Sequence, residues 1–282
     1  MSPPSTTHTV LFDWDLGQFD RLVENCDFDD SLQLALPYLK RTGKILEAGC
    51  GPGHVVAYLL ARGFEVEGVE LNAQVVGSMA QLRPDLPLRV ADVSNIRVPD
   101  GYYESVLSFG VIEHFRAGPS AALQEHHRIL AENGIAMFSV PSLTAVRRLK
   151  RRWYFATASF RPSLNPLVRR IAHRPPVRHN RRDRDGFQFD VNPVRGDFFE
   201  YIFRPAEFEA LVKSAGFEIL ESRPTHHAVG LWSEFGEWAV RNDRRRFVPT
   251  PTGRTLHAAL SLRPFLHNHM HTIIARKAPV AS

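Results

Sequence analysis

Three carboxylates and three glycines are spaced along residues 47–92 so that they can grip one ligand. Gly49, Gly51 and Gly53 lie in ILEAGCGPGH (45–54), between a short apolar run and a helical pattern. A tight turn there brings backbone N–H groups up to a bound molecule. The spacing is G-x-G-x-G, with His54 where a dinucleotide fingerprint has its third glycine, and no Lys-Ser/Thr follows as a phosphate loop requires. Glu47, two residues before the first glycine, repels phosphate and attracts an ammonium group. Glu70, 21 residues after Gly49, is placed to accept hydrogen bonds from a ribose diol. Such charge-assisted bonds are worth about 1.5–3 kcal/mol each. Asp92 ends a further strand-like stretch, within reach of an exocyclic amine on a base. The ligand so described has an ammonium, a ribose and an adenine, and no phosphate.

Alternating strands and helices must hold these groups. KILEAG (44–49) is a short apolar run ending in glycine, GHVVAYLLARG (53–63) has Val56, Leu59 and Leu60 at helical spacing, and FEVEGVE (64–70) alternates. The alternation continues through a helix (73–82), a strand (86–92), a strand (103–110), a helix (119–134) that Asn-Gly should stop, and a strand (135–141). A parallel sheet covered on both faces follows. After Pro141 the pattern breaks into an Arg- and Pro-rich stretch, and it returns in RPAEFEALVKSAGFEILE (204–221), where Pro205 suits a first helical turn and Phe208, Leu211, Val212 and Ala215 share a face. A last strand is expected over 270–277. The chain divides into an N-terminal helical extension (1–42), a ligand-binding core (43–141), a basic insertion (142–200) and a C-terminal part of the core (201–282).

At 282 residues, 44% hydrophobic and 23% charged, the chain is long enough to bury a substantial core. Cys26 and Cys50 are too few for a disulfide framework and form no CxxC pair, so a reducing compartment is expected. With no signal peptide pattern and no apolar run approaching about 18 residues, a cytoplasmic protein is expected. The net charge of +5 is localised: residues 147–184 carry thirteen Lys/Arg against the single acid Asp183.

The inferred ligand is S-adenosylmethionine, and the sequence resembles the class I S-adenosylmethionine-dependent methyltransferases. The resemblance rests on EAGCGPG (47–53), VEGVELN (66–72), VADV (90–93), YESVLSFGVIEHF (103–115), HRILAENGIAMFSVP (127–141) and RPAEFEALVKSAGFEILE (204–221), in that order. It implies a Rossmann-like α/β fold with strand order 3-2-1-4-5-7-6 and strand 7 antiparallel. It implies that Glu47 holds the methionine amino group, that Gly49, Gly51 and Gly53 admit the cofactor to the backbone, and that Glu70 and Leu71 lie at the ribose. Asp92 and Val93 then face the adenine, and Phe109 and Gly110 the methionine side. Leu71 and Pro52 depart from the commonest pattern; Pro52 removes one N–H from the turn.

Methyl transfer is a displacement in which alignment alone contributes about 7–11 kcal/mol, so a base helps without being obligatory. Glu113 and His114 follow the fourth strand and are the candidate catalytic pair; an imidazole with a pKa of about 6.5 acts as a base near neutrality. A structural or cofactor-side role for the pair is the alternative. His226 and His227 are placed to reach the same edge, whereas His126 and His127 are expected on a helix surface. His269 and His271 have no nearby carboxylate, and no metal site is expected. Trp14 and Phe19 are candidates to close over the site, or plain core residues. Trp153, Tyr154, Phe155 and Phe160 interleave the basic insertion, and 146–155, if helical, is a basic amphipathic segment. This composition suits an anionic small molecule, a glycan, a membrane surface contacted through 146–184, or nucleic acid, the last less well because no RNA-binding module is attached. A lid packed on the core is the plain alternative. The expected function is O-methylation of a small molecule or of a glycan or lipid intermediate, by an enzyme that is cytoplasmic or peripheral at the inner membrane surface. The alternatives are a non-catalytic S-adenosylmethionine-binding regulator and an RNA methyltransferase.

Overall fold

The computed structural model describes residues 14–150, 179–182, 188–192, 198–243, 246–263 and 266–278. Its centre is a seven-stranded sheet made of β1 (Ile45–Ala48), β2 (Val66–Glu70), β3 (Leu88–Val90), β4 (Tyr103–Phe109), β5 (Leu130–Pro141), β9 (Phe217–Thr225) and β12 (Met270–Lys277), in the order β3-β2-β1-β4-β5-β12-β9. Counting these seven strands alone, the order is 3-2-1-4-5-7-6, as the resemblance implies. β12 is antiparallel to both neighbours, and its first residue, Met270, pairs with Pro141 and Thr225, the last residues of β5 and β9. Six strands therefore end, and the seventh begins, at one carboxyl edge. This is where α/β proteins of this kind bind ligands.

Strand alternation sorts the core into two layers. Leu46, Val106, Ala136, Phe138 and Ile273 pack under α5 (Ser120–Ile129) and α6 (Pro205–Ser214). Ile45, Leu107, Met137 and Ile274 pack under α2 (Asp30–Ala35) and α3 (His54–Leu60), beside α1 (Phe19–Asn25). Glu47 alternates with Leu46 and Ala48 and so shares the face of the N-terminal helices. α4 (Ala73–Leu82) runs over the residues expected, and its N-cap is Asn72, whose Oδ1 accepts from the N–H of Gln74 at 3.0 Å.

Two expectations need correction. The helix expected to run to Asn-Gly stops at Ile129, because Leu130 pairs with Tyr103 and opens β5; Asn133 instead takes a left-handed conformation within β5. His126 is not a surface residue. It shares the inward face of α5 with Ala122, Leu123 and Ile129, is fully buried and stacks on Phe138 at 5.9 Å, and burial pushes its pKa down to about 4. Its neighbour His127 is half-buried, edge-on to Phe217.

Two long excursions leave and return at the carboxyl edge. After β5, residues 145–150 are helical, and β6 (His179–Arg182), β7 (Gln188–Asn192) and β8 (Phe198–Ile202) form a separate antiparallel sheet. The basic residues and aromatics expected at 151–178 lie outside the described residues. Between β9 and β12 stand α7 (His227–Phe235), the hairpin β10 (Val240–Asp243) and β11 (Arg246–Pro249), and α8 (Pro251–Leu260). The excursions are joined: Val146 N donates to Leu266 O at 3.3 Å, and the buried Arg147 reaches Glu234 at 3.1 Å and His269 Nδ1 at 2.9 Å. Among the described residues no helix is long and apolar enough to cross a membrane.

Candidate cofactor and acceptor site

The glycine turn is tight because side chains crowd both sides of it. Gly49 has φ +81°, and a Cβ there would lie 2.4 Å from Val111 Cγ2; at Gly51, φ +53°, a Cβ would lie 2.7 Å from the Trp14 indole. Only glycine combines these dihedrals with that closeness. The N–H groups of Gly49 and Cys50 donate to Val69 O at 2.8 and 2.9 Å, which fastens the turn to β2. Trp14 also stands 5.7 Å from the His54 ring, so it lies on the turn, whereas Phe19 is core, packed with Ala57, Val75 and Met79.

Glu47 is 5% exposed, and its Oε2 is buried with no hydrogen-bond partner among the described residues. Burial pushes its pKa well above the ordinary carboxylate range, Asp29 and Glu70 add to the rise, and the backbone of Val56 opposes it. A buried carboxylate oxygen with no donor is costly in isolation. It fits a cationic ligand group that arrives with its own hydrogens. Glu70 is fixed by two backbone donors, Gly51 N on Oε2 and Asn72 N on Oε1, each at 2.9 Å. A carboxylate offers about four acceptor positions, so two remain for a diol. Leu71 follows in the loop, half-buried.

At the end of β3, Asp92 Oδ1 accepts from the N–H and hydroxyl of Ser94 at 2.8 and 2.7 Å. It lines a cavity of about 320 Å³ with Arg89, Val90, Ala91, Asn95 and Arg97. Val93 points into the core, which leaves its backbone for any ligand contact. Gly110, with φ +71°, donates its N–H to Ser139 O at 2.9 Å beside the half-buried Phe109. The structure thus brings Glu47, the three glycines and Glu70 together at the turn, with Asp92 farther along the same edge.

Glu113 and His114 lie deeper than their sequence position suggests, at 2% and 6% exposure. His114 Nδ1 is 2.7 Å from Phe199 O, so Nδ1 carries the hydrogen and the imidazole ties β4 to β8. Burial lowers the His114 pKa against the pull of the Phe199 and Gly110 backbone, and burial raises that of Glu113, with Glu200 adding to it. Their closest approach, Nε2 to Oε1, is 3.8 Å, too long for a hydrogen bond. His269 and His271 take separate partners, Arg147 and Ser222. Among the described residues no group of three or more His, Cys, Asp or Glu is arranged to hold a metal ion.

One cluster has no counterpart in the sequence reading. His226, φ +58°, follows β9 as the N-cap of α7; its N–H donates to Asp30 Oδ2 at 2.6 Å and its Nε2 lies 3.3 Å from Asp29 Oδ2. Behind it Ser31, Ser139, Thr225 and Thr272 form a buried hydroxyl layer, with Ser31–Thr272 at 2.7 Å and Thr225–Thr272 at 2.8 Å. His226 is placed at the edge as expected, but its partners come from α2. The N-cap pattern at Asp29, whose Oδ1 accepts from Leu32 N at 2.8 Å, was a local signal; the long-range pair had none.

Comparison with known proteins agrees with this geometry. Residues 21–222 match the family described as "Methyltransferase domain". A malonyl-[acyl-carrier protein] O-methyltransferase of Enterobacter lignolyticus is 27% identical over 124 residues, 44% of this chain and 49% of that protein. A probable S-adenosylmethionine-dependent methyltransferase of Mycolicibacterium smegmatis is 24% identical over 187 residues, 66% of this chain and 56% of that protein. The chain thus spans about half the length of these curated relatives. Among solved structures, a methyltransferase from Methanosarcina mazei superposes with TM-score 0.56 at 16% identity, covering 88% of this chain and 98% of that one. A Burkholderia thailandensis 1,6-didemethyltoxoflavin-N1-methyltransferase, solved with S-adenosylhomocysteine, gives 0.52 at 17% identity, covering 96% and 94%. At these identities the structural likeness is one of fold.

Proposed function

The chain belongs to the methyltransferase family, of the class I S-adenosylmethionine-dependent kind, and from that premise we propose that it methylates a hydroxyl on an anionic small molecule or a glycan or lipid intermediate. The observation that carries the cofactor side is the partnerless buried oxygen of Glu47 beside a turn pinned to Glu70. In this reading Glu47 receives the ammonium, Gly49, Gly51 and Gly53 admit the cofactor to the backbone, and Glu70 accepts from the ribose with Leu71 alongside. Asp92 and the Val93 backbone meet the adenine, and Phe109 and Gly110 flank the methionine. When bound, the cofactor supplies a methyl group on a cationic sulfur, which needs no further activation.

The acceptor side rests on topology and charge. Both excursions open at the carboxyl edge, and residues 142–282 carry 25 Lys/Arg against 12 Asp/Glu, whereas residues 1–141 carry 10 against 18. The basic charge of the chain's second half favours an anionic acceptor. Glu113 and His114 are the groups proposed to take the hydroxyl proton: burial keeps the imidazole neutral, and the Phe199 carbonyl fixes its tautomer with the hydrogen on Nδ1.

Calorimetry with S-adenosylmethionine and S-adenosylhomocysteine, on the protein and on Glu70→Ala, tests the cofactor side. Micromolar binding that falls at least tenfold in the variant is expected. Absence of binding by folded protein overturns the reading. Transfer of labelled methyl from S-adenosylmethionine to hydroxylated, anionic acceptors tests the rest, and exclusive labelling of RNA or of amines refutes the acceptor assignment.

A further inference from the structure

From Arg244 to the C-terminus the chain has seven Lys/Arg and no Asp or Glu. Within that stretch α8 turns Gly253, Leu256, His257 and Leu260 inward and leaves a row of exposed positions outside. Arg254 and Ala258 lie four residues apart on this row, and Leu262 and Arg263 follow in the turn after the helix. Leu262 is 87% exposed. At the other end of α8, its N-cap Thr250 donates to the carbonyl of Trp238, a residue 62% exposed. At the near end, the turn after α8 accepts Val146 N on Leu266 O, which brings up the 145–150 helical segment with Leu149, 69% exposed. Arg147 and Lys150 of that segment are tied to Glu234, so Leu149 stands out from the ion pairs.

We infer that this surface, running from Trp238 along the outer face of α8 to Leu262 and Leu149, docks the protein on an anionic lipid bilayer. The chemistry is that of an interfacial surface: Leu149 and Leu262, each beside basic residues, and the Trp238 indole stand out singly around the cationic outer face of α8. Apolar residues that stand out singly suit insertion among lipid headgroups, whereas a protein partner of comparable affinity is held by side chains that fill pockets. The charge asymmetry of the chain adds a steering term, because its basic C-terminal half turns toward an anionic surface and its acidic N-terminal half away. The surface belongs to the same excursions that cap the carboxyl edge. Docking there would set the reacting edge near the lipid.

Vesicle flotation with the whole chain tests this, using phosphatidylcholine vesicles and phosphatidylcholine vesicles containing phosphatidylglycerol. Binding to the anionic vesicles, weak binding to the neutral ones and release by salt are expected. Trp238→Ser with Leu262→Ser should lower binding about tenfold, and Arg254→Gln or Arg263→Gln about fivefold each, with melting temperature and S-adenosylhomocysteine affinity unchanged. Equal binding to both vesicle types overturns the inference, as does full binding by the folded Trp238/Leu262 variant, which would assign the attraction to the basic stretch at 147–184. Binding to RNA that the Trp238/Leu262 variant loses in place of vesicle binding also overturns it. Because these variants leave the glycine turn intact, failure here is separate from failure of the methyl-transfer reading.

Discussion

The two halves of the sheet do the same structural job by different means. From β1 to β3 the connections are short, and the groups proposed to bind the cofactor sit within a few residues of strand ends: Glu47, the glycines, Glu70 and Asp92. In β5, β12 and β9 the strands are longer, β5 and β9 each hand the chain to a long excursion, and the polar groups at the edge are completed from far away in sequence, as Ser31 and Asp29 complete Thr272 and His226. In the proposed reading the first half would recognise with backbone that must approach closely, and the second with side chains carried on additions to the fold. A lesion in the first should act locally and severely, whereas a lesion in the second should be graded.

The sharpest break is Gly49→Val. A Cβ 2.4 Å from Val111 at φ +81° combines overpacking with backbone strain, and the expected cost is about 2–5 kcal/mol of stability. Calorimetry should find no S-adenosylhomocysteine binding, and a melting curve should shift down by several degrees for each kcal/mol. Unchanged binding would mean that the turn is not the cofactor's seat.

Glu47→Gln separates binding from stability. Losing the carboxylate removes a charge-assisted contact of about 1.5–3 kcal/mol, so cofactor affinity should fall roughly ten- to a hundredfold. The unliganded protein should become more stable, because a buried carboxylate with a partnerless oxygen is replaced by a neutral amide. The sign with pH follows from the raised pKa. In the interval between the ordinary carboxylate value and the raised one, the folded state holds the proton more tightly than the unfolded chain, so wild-type stability declines as pH rises and the variant's should not. Denaturant titrations across the acid-to-neutral range check this. Parallel curves for the two proteins would place Glu47 outside a desolvated site.

Most of the first half was legible because its signals are local. A strand that ends in Gly-x-Gly, a carboxylate at the end of the next strand and the helix at 73–82 are each decided within one element and its turn. The last strand was read to the residue for the same reason, since MHTIIARK is a bounded apolar run. His126 was misread because a histidine on a helix looks polar, and what decided its burial was the Phe138 ring from β5. The His226 pair was invisible because Asp29 and His226 are far apart in sequence, and each has a plausible local explanation as a cap or a strand end. The excursions gave composition without geometry, as Arg147 shows: one of thirteen basic residues in its segment, it is buried between Glu234 and His269.

His114→Ala tests the second half more gently. Removing the imidazole leaves the buried Phe199 carbonyl without its 2.7 Å donor, so a loss of about 1–3 kcal/mol is expected in an unfolding titration. If His114 also takes the acceptor's proton, His114→Asn, whose amide can still donate to that carbonyl, should recover part of the stability and none of the rate. The wild-type rate should fall as pH drops through the lowered imidazole pKa. Recovery of both stability and rate in His114→Asn would make it a positioning residue that ties β4 to β8.

The smallest expected effect lies where the halves meet. His226 faces Asp29 and Asp30 from the start of α2, with the hydroxyls of Ser31 and Thr225 on its other side, and His54 is a second positive influence on Asp29. Burial opposes the charged imidazole, but the two carboxylates outweigh it and hold its pKa above the usual value. Burial likewise opposes the Asp29 carboxylate, and His226 overrides it, holding that pKa at about 2. The pair's contribution is therefore fully present below the ordinary imidazole value of about 6.5 and is lost as pH rises through the elevated one. In acid, Asp29's share is lost as pH falls from about 3.8 toward about 2. Because Asp29 is partly exposed, screening limits the whole effect to about 1 kcal/mol or less. His226→Asn should abolish the alkaline decline in melting temperature while lowering it only slightly below neutrality, and it should weaken S-adenosylhomocysteine by a few-fold, since α2 is fastened beside Glu47 through this contact. A decline that survives the substitution would assign it to another group and leave the hydroxyl layer of Ser31, Ser139 and Thr272 as the fastening between α2 and the acceptor half.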